Sequence, residues 1–271
     1  MSKNKNEVNV IDDGLDFLND TIDTDYQNWS KAITALSNVG GVFKTTTEET
    51  LVEMTDAGKK AREFYTLDKN HTKSLPKFNK NGIEDPFKGV KLIDLATDKG
   101  GYLNTLDSDT KLKYYDAPGA GVDALLVNAF NGNVQAFFDT MKRKRHLPYF
   151  LIPYSTLKCE ATANRFEKLL RTVQTDMPIN VVFLIHTTID SQNDYVAQYN
   201  ASPSIKQLKA KSGLIVREVV LDALLTPITV KRLENEKIID IYKSGSDVFS
   251  QACIQQYLTE IKNKLLPIIN E

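Results

Sequence analysis

From residue 31 onward the apolar and polar positions repeat one unit: a short apolar run, a polar turn, then a stretch with helical spacing. The runs "KAITALS", "AREFYTLD", "GVKLIDLA", "KLKYYDAPGAG", "PYFLIPYS", "INVVFLIHTTI" and "GLIVREVVL" read as seven strands. "INVVFLIHTTI" is apolar at nearly every position, as a strand must be when both faces of its sheet are covered. "TTTEETLVEMTDAGKK" reads as a helix that opens on threonines and early glutamates and closes at Gly58 and two lysines. "CEATANRFEKLLRTVQTD" and the closing "VFSQACIQQYLTEIKNKLLPII" are further helices. "VDALLVNAFNGNVQAFFDTMKRKR" is helical with a break at Gly132, and "GGYLNTLDSD" is a short helix or turn. This alternation predicts an α/β fold: a mostly parallel central sheet with helices on both faces and right-handed crossovers. Ligands of such sheets sit at the carboxyl ends of the strands. Three polar segments fall there, at residues 37–46, 66–71 and 116–121.

Residues 1–30 read differently, as an acidic N-terminal arm distinct from a body over 31–271. Ile11, Leu15, Leu18 and Ile22 recur at helical spacing among Asp12, Asp13, Asp16, Asp20 and Asp23, which predicts a short amphipathic helix. Its apolar stripe either packs on the body or serves a protein partner or self-association. The arm carries two lysines against seven acids, about −5, which leaves the body about +4 against a total of −1. Tyr26 and Trp29 stand where arm meets body and read as core anchors.

Composition narrows the setting. With 41% hydrophobic residues the chain can bury a sizeable core. It has no apolar run of about 18 residues and no apolar stretch behind its first lysines, so neither a membrane span nor a secretory signal is expected. Two distant cysteines, Cys159 and Cys253, suit a reducing, cytoplasmic setting. They and the scattered His71, His146 and His186 make no zinc motif. Two basic stretches, Lys142–Arg145 in "MKRKRH" and Lys206, Lys209 and Lys211 in "IKQLKAK", are solvated faces or patches for an anionic partner.

The chemistry gathers around "SNVGGVFKTTTEE". A phosphate-binding loop needs a strand, a glycine turn whose N–H groups point inward, and a helix whose N-terminus faces the phosphates. A lysine then reaches the terminal phosphates, and the next Ser or Thr hydroxyl binds Mg²⁺. Gly40, Gly41, Lys44 and Thr45 follow in that order between a strand and a helix. The full pattern asks for glycine at 38 and 43. Asn38 is the milder departure, because asparagine tolerates left-handed backbone, and Phe43 the serious one. Asp68 and Asp116 close two other strands, where an acid either holds a Mg²⁺ shell or caps a turn.

The order "GGVFKTTT … YTLD … YYDAPGAG … YFLIPYS … NVVFLIHTTID … GLIVREVVLDAL … DVFSQACIQQYLTEI" resembles the ParA/MinD group of P-loop ATPases over residues 31–271. The resemblance implies a three-layer P-loop NTPase-like fold, ATP and Mg²⁺ as ligands, a homodimer, and non-specific DNA binding through surface lysines. By position Lys44 is similar to the family's phosphate-binding lysine, Thr45 to its Mg²⁺ ligand and Thr46 to a phosphate contact. Asp68 is similar to the acid that orients the attacking water, Asp116 to the Walker B acid, and Gly119 stands where the family's switch turn follows.

The departures are specific. Val39 stands where the family has the lysine that reaches across the dimer, Phe43 replaces the last glycine, and Thr66 replaces the first acid of the DxD pair. His186 and Thr187 stand where many relatives present Asn or Asp. In these losses the chain resembles divergent plasmid-stability and conjugation proteins of the StbB and TraL kinds. Three functions stay open: a slow ATP-dependent switch in DNA or plasmid segregation or maintenance, a nucleotide-free scaffold disabled by Phe43 and Val39, and an unrelated α/β enzyme. The last requires that Lys44, Thr45, Asp68 and Asp116 lie apart.

Overall fold

A computed structural model describes residues 26–38, 43–69, 73–79, 89–156, 158–188, 193–245 and 247–271. The predicted helix in the arm, Val39, Gly40, Gly41 and His71 lie outside the described residues.

All seven predicted strands form: β1 Ser30–Ala35, β2 Glu63–Thr66, β3 Lys91–Leu92, β4 Leu112–Asp116, β5 His146–Pro153, β6 Ile179–His186 and β7 Leu214–Leu221. They make one parallel sheet in the order β3-β2-β4-β1-β5-β6-β7. Every residue of β5 and of β6 is buried. Successive side chains point to opposite faces, so both faces of the sheet are covered. β1 sits at the centre. The chain moves one way from it to β2 and β3, returns to insert β4, then moves the other way through β5, β6 and β7. With right-handed crossovers, the two directions place their helices on opposite faces. The reversal beside β1 is the switch point at which sheets of this kind open a crevice.

The helix predicted after β1 is α1, Lys44–Ala57. It is followed by the short α2, Ser74–Phe78, and α3, Gly101–Asn104. The long helical prediction after β4 divides as expected near Gly132: a widened π turn at Asp123–Val127, a break with Asn131 and Gly132 at positive φ, then α4, Val134–Arg143. Next come α5 Cys159–Leu170, α6 Tyr195–Ala201, α7 Pro203–Ala210, α8 Pro227–Arg232, α9 Ile238–Lys243, α10 Val248–Glu260 and α11 Leu266–Asn270.

Neither α2 nor the run α6–α9 was anticipated as helix. Each is five to eight residues long, too short for a 3.6-residue period to stand out. Three still carry a start signal: Asp194 before Tyr195, Ser202 before Pro203 and Thr226 before Pro227 each accept a bond from the N–H three residues on.

α1 is held by carboxylates as well as by its buried Leu51 and Val52. Glu48, Glu49 and Glu53 are all buried. Glu48 accepts the Tyr115 N–H at 3.0 Å, Glu49 accepts from Ser74 Oγ and Lys77 Nζ at 2.6 and 2.7 Å, and Glu53 accepts the Ile238 and Ile239 N–H groups. Thus α1 is stitched to β4, α2 and α9. At the opposite end of the sheet Trp29 is buried at the foot of β1, edge-on to Tyr26 at 5.0 Å. Among the described residues no helix is long and apolar enough to cross a membrane.

Candidate nucleotide site

The neighbouring order β2-β4-β1 gathers the three polar segments on one rim of the sheet. In register, Ala35 pairs with Asp116 and Asp116 with Thr66, so the strands end level. β1 leads through Ser37 and Asn38 toward the glycine loop, and α1 returns with Lys44 as its first residue.

There Lys44, Thr45 and Asp116 meet. The Lys44 ammonium pairs with the Asp116 carboxylate and donates to the Ala117 carbonyl oxygen. Thr45 donates its hydroxyl to the other Asp116 oxygen at 2.8 Å. Asp116 is only 2% exposed, so water screens this cluster weakly. Asp68 stands half-buried on the same rim, two residues beyond β2, and Leu67 between donates its N–H to the Asp116 carbonyl. Thr46 lies in the first turn of α1, where its carbonyl accepts the Thr50 hydroxyl. Among the described residues no side chain caps the start of α1, whose first N–H groups face the loop.

Phe43 has φ 57° and ψ 17°, the left-handed conformation that glycine adopts freely. The backbone therefore follows the glycine-type turn although the residue is aromatic. Its ring stacks on His186 at 5.8 Å and lines an apolar cleft of about 380 Å³ with Leu225, Pro227, Val230 and Tyr257. Burial pushes the His186 imidazole down to about 4, so it is neutral near pH 7. Asn38 plays a different part from the one expected of it. It has no positive φ; instead its Oδ1 accepts the Val122 N–H at 3.2 Å and its Nδ2 donates to Asp123 at 3.3 Å, which ties the loop to the turn after β4.

The sequence reading missed Glu48, one helical turn behind Lys44. Burial first and the nearby Asp116 second push its carboxyl well above the usual range, opposed by the Tyr115 N–H and Lys44. Nothing in the motif marks Glu48, since a glutamate in a helix ordinarily reads as solvent-facing.

Mg²⁺ favours oxygen ligands and keeps several waters and substrate phosphates in its shell. Thr45 and Asp116 fit as its two protein ligands, and Lys44 fits a terminal phosphate. Among the described residues no cluster of three or more His, Cys, Asp or Glu side chains could hold a metal by itself.

The surface lysines are partly engaged. Lys142 and Lys144 pair with Asp176 and Asp107. Lys209 pairs with Glu218 and lies over the Tyr199 ring, and Lys211 donates to the Arg171 carbonyl.

A parallel sheet whose central strand leads through a loop into α1, with Lys44, Thr45 and Asp116 joined on its carboxyl rim, has the P-loop NTPase-like α/β fold. No protein-family model matches the chain, and no curated protein matches it. The solved structures it is similar to include plasmid partition and cell division proteins of the ParA/MinD type. One, described as a plasmid partition protein from Borrelia burgdorferi bound to AMPPNP, has 15% identity and a TM-score of 0.48, covering 86% of this chain and 97% of that one. MinD cell division protein from Aquifex aeolicus has 14% identity and a TM-score of 0.48, covering 87% and 98%. The pNOB8 ParA bound to nonspecific DNA has 13% identity and a TM-score of 0.44, covering 86% and 99%.

Proposed function

We propose that this chain is a divergent ParA-like nucleotide-binding protein, a slow ATP-dependent switch in DNA or plasmid segregation or maintenance. One observation carries the reading: Lys44, Thr45 and Asp116 meet at the uncapped start of α1. Chance resemblance in a loop does not require an acid 72 residues away to close on that lysine. Lys44, which pairs with Asp116, would hold a terminal phosphate, and Asp116 and the Thr45 hydroxyl would hold Mg²⁺, which would neutralise charge on the phosphates. The flat apolar cleft beside Phe43 has room for the base, and Asp68 orients water.

Turnover is slow in this reading. Val39 replaces the lysine that relatives lend across a dimer, and a comparable transition-state cation is worth roughly 10³–10⁵ in rate. The reading is tested by calorimetric titration of ATP with and without Mg²⁺. Micromolar to submillimolar binding that needs Mg²⁺ and is lost in Lys44→Ala is expected. No binding at millimolar ATP overturns it in favour of the scaffold, which the strained Phe43 backbone favours.

A further inference from the structure

Where the strands begin, at the end of the sheet remote from Lys44, a cleft of about 610 Å³ opens between the start of β1, the turn before β2, the approach to β4 and α11. Its floor is apolar, from Ala61, Leu112 and Ile269. Three lysines ring it, and each donates to one neutral oxygen. Lys31 reaches the Ile269 carbonyl at 2.7 Å, Lys60 the Asn270 side chain at 3.0 Å, and Lys111 the Asn28 carbonyl at 2.7 Å. An ammonium carries three donors, so each lysine has capacity to spare. Among the described residues none of the three is in an ion pair, whereas Lys142, Lys144 and Lys209 each sit on a carboxylate. Asp109 is the one acid in the lining. Burial and the charge of Lys60 push the Lys31 amine below its usual range, with Glu271 partly offsetting.

Cations crowded around an apolar floor suit a ligand that is apolar on one side and anionic around it. The chain contains such a segment. In residues 11–25, Ile11, Leu15, Leu18 and Ile22 share one helical spacing and five aspartates, Asp12 to Asp23, surround them. The segment joins the fold at Tyr26–Asn28, and Asn28 is the residue whose carbonyl Lys111 holds. Asp23 is five residues from Asn28, at most about 17 Å of chain. A tether this short gives the segment an effective concentration near the millimolar range at the cleft. We infer that the acidic N-terminal segment, residues 11–25, docks on the cleft ringed by Lys31, Lys60 and Lys111 of its own chain. Its apolar stripe covers Ala61, Leu112 and Ile269, and its aspartates take up the free lysine donors.

Zero-length carbodiimide coupling of the full-length chain tests this, on an equal mixture of natural-abundance and ¹⁵N-labelled protein. The expected products are amide links from Asp12, Asp13, Asp16, Asp20 or Asp23 to Lys31, Lys60 or Lys111, within one isotopic species and unchanged by dilution. Their yield falls in about 0.5 M salt, where exposed charge pairs are screened. The yield of links to Lys31, which keeps its amine, falls about fivefold or more in Lys60→Glu/Lys111→Glu, both on the exposed rim. Unchanged circular dichroism of that variant shows that the fold is kept. Links chiefly to other lysines, no links at all, or yields indifferent to the double variant would overturn the assignment. Isotopically mixed pairs would overturn it too, and would place the segment on a second copy. None of these outcomes depends on nucleotide.

Discussion

Phe43 concentrates the conflict in the site. Left-handed backbone costs a non-glycine residue about 1–2 kcal/mol. The half-buried ring, stacked on His186, returns roughly 1–2 kcal/mol. These nearly cancel, so Phe43→Gly should shift stability by no more than about 1 kcal/mol in a urea titration. ATP affinity is the sharper readout. The ring is turned onto His186 and the backbone already follows the glycine turn, so glycine should leave ATP affinity within about threefold, and a gain of about tenfold or more would show that the ring itself obstructs the phosphate. The same variant uncovers His186. Its pKa near 4 lies below the unfolded value of 6.5, so the unfolded chain takes up the proton first and stability falls as pH drops from 6.5 toward 4. In Phe43→Gly the imidazole should titrate closer to 6.5 by NMR and that pH dependence should shrink. Lys44, Thr45 and Asp116 were legible in the sequence because their chemistry demands fixed types in fixed order. The Phe43–His186 stack was not, since it joins residues 143 positions apart that no motif links.

α1 behaves at the scale of an element as a polar bolt. Glu53 joins it to α9 by accepting two N–H groups, and burial pushes its carboxyl up to about 7, partly opposed by those bonds and Lys237. A folded-state value above the unfolded one means that the folded chain holds the proton longer. The stability tied to this proton is present below pH 4.5 and is lost as pH rises through 7. Glu53→Gln cannot ionise, so the stability difference between variant and wild type should move in the variant's favour by about 1–3 kcal/mol from pH 5 to pH 8, read by urea unfolding. The strands were legible because two-sided burial writes continuous apolar runs. The bolting was not, because buried glutamates in "TTTEETLVEMTDA" give the pattern of a solvated face, and because partners such as Lys77 and Ile238 lie far along the chain.

Over the whole molecule, charge decides which partners are reachable. Lys142 and Lys144 are spent on Asp176 and Asp107, and Lys209 on Glu218, which leaves Lys206 the freer member of its patch. If this face holds DNA, Lys206→Glu should weaken retention in a filter assay for all sequences alike and lower the slope of log affinity against log salt by about one. A switch also requires a nucleotide-linked change of state. Sedimentation velocity should show a dimer with ATP and Mg²⁺ that Lys44→Ala does not form.

Trp29 gives this arrangement its own reporter. It is the chain's single tryptophan, buried at the foot of β1 and edge-on to Tyr26, next to the point where the acidic segment enters. The six residues of β1 separate it from the loop that leads to Lys44, roughly 20 Å. Light absorbed by indole alone is therefore emitted from the far end of the sheet, beyond contact quenching by a nucleotide. A change in that emission when ATP is added would record movement carried along the central strand, and one produced by salt alone would record the departure of the arm.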